Sequence, residues 1–90
     1  MEISLEELEK LADRCIQACN KNDWKRNWSN GGCYLHLEAS EFIEALRGKG
    51  EPYSEVADVL FVLLAMFRHH EMNIHDIFQN LDDLLTKLEE

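Results

Sequence analysis

An all-α fold, a four-helix bundle formed by one domain over residues 1–90, is what the sequence predicts. Three observations predict it. Apolar residues recur at helical spacing from end to end, the breaks between those stretches are short and rich in Asn, Asp, Ser and Gly, and the chain holds only one proline. Four helices joined by short turns pack as a bundle.

The first helix is announced by Ser4 followed three residues later by Glu7, the spacing of a capping box, with Ile3 and Leu8 placed to staple it. Leu5, Leu8, Leu11, Ala12, Cys15, Ile16 and Cys19 form its apolar face, and it ends near Asn20. The next stretch, "NKNDWKRNWSNGG" over residues 20–32, is polar, aromatic and closed by two glycines, so it reads as a connection. A second helix is expected from Cys33 to Arg47, with Leu35, Ala39, Phe42, Ile43 and Leu46 on its apolar side, and "GKGEP" at 48–52 stops it. Ser54 is the expected cap of the third helix. Asn73 and Asp76 mark the start of the fourth, whose Ile74, Ile77, Phe78, Leu81, Leu84, Leu85 and Leu88 form one stripe.

Nine basic residues stand against eighteen acidic ones, a formal net charge of -9. A chain this acidic is repelled by a nucleic-acid backbone and by an anionic membrane surface, so neither is an expected partner. No apolar run is long enough to span a bilayer, and the N-terminus lacks the order of a signal peptide. A soluble, cytoplasmic protein is expected. Cys15, Cys19 and Cys33 are odd in number and form no CxxC pair, which indicates neither a disulfide framework nor a zinc ribbon.

The third helix poses the functional question. From Val56 to Phe67 every side chain is apolar except Asp58, and a helix that is apolar all round is normally buried. A carboxylate in that setting needs a partner, a cation or a proton. Glu55 lies one turn before it, and the preceding helix carries Glu38 and Glu41 at the same spacing of three. A short loop makes the two helices antiparallel neighbours, so Glu38, Glu41, Glu55 and Asp58 can converge across the seam. Such a cluster repels itself, and a hard divalent ion relieves the repulsion; Mg²⁺ takes oxygen ligands and keeps waters that face a phosphate. The plainer alternative is an acidic helix face in water, and Glu44, further round its helix, is expected to be one.

"EASEFIEAL" at 38–46, followed by "EVADVLF" at 55–61, resembles the ExxExxE and ExxD signatures of the all-α nucleoside triphosphate pyrophosphohydrolases, the MazG-like superfamily that includes dCTP pyrophosphatases. The resemblance runs from about Trp24 to the C-terminus. It implies that Glu38, Glu41, Glu55 and Asp58 hold Mg²⁺, or Mn²⁺ in its place, and that a (d)NTP is cut between its α and β phosphates to (d)NMP and pyrophosphate. Glu41, or Glu38, is the acid expected to take the proton of the attacking water. Within the same group the rival activity is that of a phosphoribosyl-ATP pyrophosphatase; outside it, the rival is a non-catalytic helical oligomer with a structural ion site.

A nucleotide needs a flat apolar wall for its base and positive charge for its phosphates. "KNDWKRNW" at 21–28 offers Trp24 and Trp28 for the first, and Lys21, Lys25 and Arg26 for the second. The closing helix, where relatives often place phosphate-holding residues, has Asp82 and Asp83 and offers only Lys87. Finally, one neighbour on each side cannot cover an all-round apolar helix in so short a chain. A homo-oligomer, dimer or tetramer, is expected.

Overall fold

The computed structural model describes residues 3–90, and it is helical almost throughout: α1 (Leu5–Lys21), α2 (Trp28–Glu44), α3 (Pro52–His69) and α4 (Ile74–Glu89). The all-α helical bundle read from the sequence is the fold. Ser4 caps α1 as expected, its hydroxyl accepting from the Glu7 N–H at 3.2 Å. Asn73 likewise caps α4, its side-chain oxygen accepting from the Asp76 N–H at 3.2 Å.

Two boundaries differ from the sequence reading. The second helix starts at Trp28 rather than Cys33, because Asn27 is its cap and accepts from the Asn30 N–H at 2.8 Å. "WSNGG" is therefore helix, and Gly31 is there for packing rather than for a turn. A Cβ on Gly31 would meet Met66 Cγ at 2.9 Å and the Arg26 carbonyl oxygen at 3.1 Å, so only glycine lets α2 approach α3 this closely. The cap of α3 is Glu51, not Ser54: its carboxylate accepts from the Tyr53 and Ser54 N–H groups at 3.2 and 2.6 Å. Pro52 explains the shift, since proline favours the first helical position and places the cap one residue before itself. Between α2 and α3 the chain widens into a π-turn over Ala45–Lys49 and reverses at Gly48, whose φ of 91° suits glycine.

α3 is the central element, with α1 packed on one side and α2 on the other. Both run antiparallel to it. On the α2 side Gly31 meets Met66 and Glu38 meets Asp58; on the α1 side the Arg68 Nε–Asp13 Oδ1 ion pair, 2.8 Å, ties the end of α3 to the middle of α1. The fully buried residues are mostly small: Ala12 and Cys19 of α1, Gly31 of α2, Ala45 just after it, and Val62 and Ala65 of α3. Small side chains bring helix axes close, and this core is held by close approach more than by bulk.

The fourth helix behaves differently. Ile74 is buried and Ile77 half-buried, but from Phe78 onward the apolar stripe leaves the core, with Leu88 70% exposed. The chain exposes 6857 Å², whereas a compact monomer of its size exposes about 5,400 Å². Its radius of gyration is 14.4 Å, against about 12 Å for a compact domain of that length.

Candidate metal centre and adjoining pocket

The helical spacing and the antiparallel seam bring three acids to one point. Glu38 of α2 and Glu55 and Asp58 of α3 each offer a carboxylate oxygen, and these oxygens all lie within 4.8 Å of one another. Glu38 and Glu55 are half-buried, and one oxygen of each, Glu38 Oε2 and Glu55 Oε2, is buried without a hydrogen-bond partner. Burial pushes the Glu38 carboxyl above its ordinary range, and the neighbouring Glu41, Asp58 and Glu55 carboxylates push it further. Glu55 is raised by burial too, then by Glu41 and Asp58. Orphaned buried oxygens and mutually raised carboxyls are the marks of a donor set short of a cation, and hard oxygen donors suit a hard divalent ion.

Asp58 itself is exposed. The expectation that it is buried among apolar side chains is overturned: Ala18 shares a groove with Phe61 and α1 ends three residues later at Lys21, so Asp58, three residues before Phe61 on the antiparallel α3, lies level with the end of α1 and lines an open pocket. Glu41 is also exposed; it raises Glu38 and Glu55 through its charge and through side-chain hydrogen bonding, and so adjoins the cluster, but it is not one of the three whose oxygens meet. Glu44 is turned away from the cluster and pairs with Arg47 at 3.0 Å and Lys49 at 3.6 Å, so it is a tethered rather than a freely solvated acid.

A pocket of about 300 Å³ opens beside the acids. Glu38 and Asp58 form one wall of it, and Trp24, Arg26, Tyr34, Phe61 and Val62 form the rest. Arg26 is only 5% exposed. Its guanidinium carbon lies 4.9 Å from the Tyr34 ring centre and 5.8 Å from those of Trp24 and Phe61, cation–π distances in all three cases. Nη1 donates to the Lys25 carbonyl at 3.0 Å, and Nε has no acceptor.

Of the substrate contacts expected from the sequence, Trp24 and Arg26 line this pocket with the acids. Lys25 lines a smaller neighbouring pocket, together with Asn27 and His69. Lys21, in the last turn of α1, Trp28, 77% exposed at the start of α2, and Lys87, in the last turn of the exposed α4, line neither. Tyr34 and Phe61 were missed. Their signal was present: Tyr34 precedes Glu38 by four residues and Phe61 follows Asp58 by three, which puts each on the same helix face as its acid.

Two antiparallel helices that bring carboxylates to one point beside an aromatic pocket define an all-α protein with an acidic cluster that could hold a metal ion. Comparison with protein families matches residues 5–84 to phosphoribosyl-ATP pyrophosphohydrolase. The chain belongs to that family, which lies within the MazG-like all-α superfamily, and its enzyme class is that of pyrophosphohydrolases acting on nucleotide-like substrates. The match begins in α1, well before Trp24, and falls on the group that the sequence reading held as its rival activity. No curated protein and no solved structure matches the chain.

Proposed function

We propose that the protein is a cytoplasmic, Mg²⁺-dependent pyrophosphohydrolase that cuts a nucleoside triphosphate group between its α and β phosphates, releasing pyrophosphate. The observation that carries this reading is the meeting of Glu38, Glu55 and Asp58, two of them with orphaned oxygens, on the wall of an aromatic pocket. Glu38, Glu55 and Asp58, with Glu41 beside them, are the residues to hold the ion. Bound Mg²⁺, or Mn²⁺, supplies Lewis acidity toward phosphate oxygens and acidifies an attacking water.

The chain's own residues do the rest. Glu41 is exposed at the edge of the cluster, where its carboxylate is the acid to take the proton of the attacking water, with Glu38 the next placed to do so. Trp24 and Tyr34 give the base flat walls. The pocket is at the small end of ligand sites, so it receives one part of a nucleotide and leaves the remainder at the open, acidic side.

The first substrate class is a common NTP or dNTP. Phosphoribosyl-ATP is the second, and the family match over residues 5–84 favours it. Pyrophosphate release from phosphoribosyl-ATP and from a panel of NTPs and dNTPs, with Mg²⁺ and with Mn²⁺, decides between them. Release from one class assigns the substrate. No release from any of them by folded, metal-loaded protein overturns the enzymatic reading in favour of a structural ion site.

The uncovered α4 stripe and the excess surface support a homo-oligomer in which a second copy covers apolar faces. A dimer is the smallest assembly that does so, and light scattering at micromolar concentration tests it; a monomer there refutes it. Among the described residues no helix is long and apolar enough to cross a membrane.

A further inference from the structure

Arg26 breaks the ordinary rule for a buried charge. An arginine this deeply covered normally sits in a pair with a carboxylate, because taking a charge out of water is costly unless it is compensated. Among the described residues no carboxylate lies within ion-pair distance of Arg26, although eighteen acids are available in the chain. The aromatic rings surround the guanidinium carbon, but they offer no conventional acceptor, so they do not satisfy its N–H donors. One edge donor goes to the Lys25 carbonyl, the weakly accepting Cys19 thiol lies beside the guanidinium, and Nε goes to nothing.

The position of this cation is equally specific. It lines the same pocket as Glu38 and Asp58, and among the described residues it is the one cationic side chain to do so. Other cations are engaged elsewhere: Lys10 with Glu6, Arg47 and Lys49 with Glu44, and Arg68 with Asp13. Acids and an uncompensated guanidinium lining one pocket suit a ligand that bears several anionic oxygens, some for a cation held by the acids and some for the arginine.

We infer that Arg26 is the anion-receiving group of this pocket and binds a phosphate group of the substrate alongside the acid cluster. The inference rests on the proposed nucleotide chemistry and adds to it the residue that supplies positive charge beyond the metal. A guanidinium fork takes phosphate oxygens through paired N–H donors, and Nε here is buried without an acceptor. It also explains how the chain manages with an acidic closing helix: the cation comes from the connection between α1 and α2 instead.

Inorganic pyrophosphate is the probe, titrated by calorimetry into the full chain with Mg²⁺ present. Wild-type protein should bind it, and Arg26→Gln should weaken binding by about tenfold or more, the range for a lost hydrogen bond to a charged group. Arg26→Lys should recover only part of the loss, because a point charge replaces a planar fork. Undiminished affinity in folded Arg26→Gln overturns the inference. Because a buried residue can be needed for folding, a second measurement leaves Arg26 intact. In Trp28→Phe, Trp24 is the sole tryptophan and reports on the guanidinium beside it; its emission should shift as pyrophosphate is added, and an unmoved spectrum overturns the assignment. If Arg26→Lys instead changes the ratio of GTP to ATP turnover while pyrophosphate affinity is unchanged, the residue reads the base, and the phosphate assignment is overturned. Pyrophosphate binding that depends on Arg26 in a protein that hydrolyses no nucleotide leaves this inference standing and removes only the enzymatic one.

Discussion

α3 and α4 are both apolar helices of similar length, yet only one is covered. α3 lies between α1 and α2, buries Val62 and Ala65, and turns its acids toward α2. α4 carries a regular leucine stripe, buries only Ile74, and leaves Leu81, Leu84, Leu85 and Leu88 in solvent. The difference shows that apolar periodicity states a need for burial without saying what meets it. For α3 the partners are in the same chain. For α4 the described residues of that chain supply almost none.

The sharpest test of α3 as more than a core helix is Asp58→Asn, which removes ligand charge from an exposed position and keeps its shape. Turnover should fall by about 100-fold or more while the helical signal in circular dichroism is retained. Normal metal-dependent turnover would reduce α3 to packing alone.

Paired substitutions break or sharpen the contrast directly. Ala65 is fully buried, so Ala65→Leu overpacks the α3 seam and should destabilise by about 1–3 kcal/mol in denaturant titration. Leu84 is half exposed; if α4 stands free, Leu84→Ala should change stability by less than about 0.5 kcal/mol at any protein concentration. The proposed dimer predicts instead a larger loss at high protein concentration that fades on dilution, because only the dimer covers the stripe.

Acid should act in opposite directions on the acid cluster of the α2–α3 seam and on the cap of α3. The folded pKa values of Glu38 and Glu55 are raised, so in metal-free protein these groups take up protons more readily folded than unfolded. Their contribution is therefore full below the ordinary carboxylate pKa and is lost as pH rises through the raised values. Glu51 runs the other way: hydrogen bonds from the Ser54 and Tyr53 backbones lower its pKa, and its cap weakens as pH falls through that lowered value. Differential scanning calorimetry of metal-free protein should show Glu38→Gln flattening the gain on mild acidification. Mg²⁺, which competes with those protons, should raise the melting temperature at neutral pH and lose that effect in acid.

The smallest effect is expected at Glu44, whose partners are Arg47 and Lys49 on its own turn. Glu44→Gln should leave turnover nearly unchanged and stability within about 1 kcal/mol, the range for exposed ion pairs. A loss comparable to that of Asp58→Asn would extend the acid cluster one turn further along α2.

Much of this protein is local physics and was legible as such. Caps at Ser4 and Asn73, the apolar periods, and acids three apart are set by side chains a turn from one another, so the spacing alone placed Glu38 beside Glu41 and Glu55 beside Asp58. Local rules also erred where two of them competed: Pro52 moved the α3 cap from Ser54 to Glu51, and Gly31 served close packing on Met66 in a stretch whose glycines suggested a turn. What only the tertiary structure decided depends on where helices end beside one another. Asp58 lies level with the end of α1 and opens on a pocket, while the connection after α1 brings Arg26 and its neighbour Trp24 against Tyr34 of α2 and the distant Phe61 of α3. No spacing in the sequence encodes that juxtaposition, because it arises from the packing of three helices rather than from the turn of one.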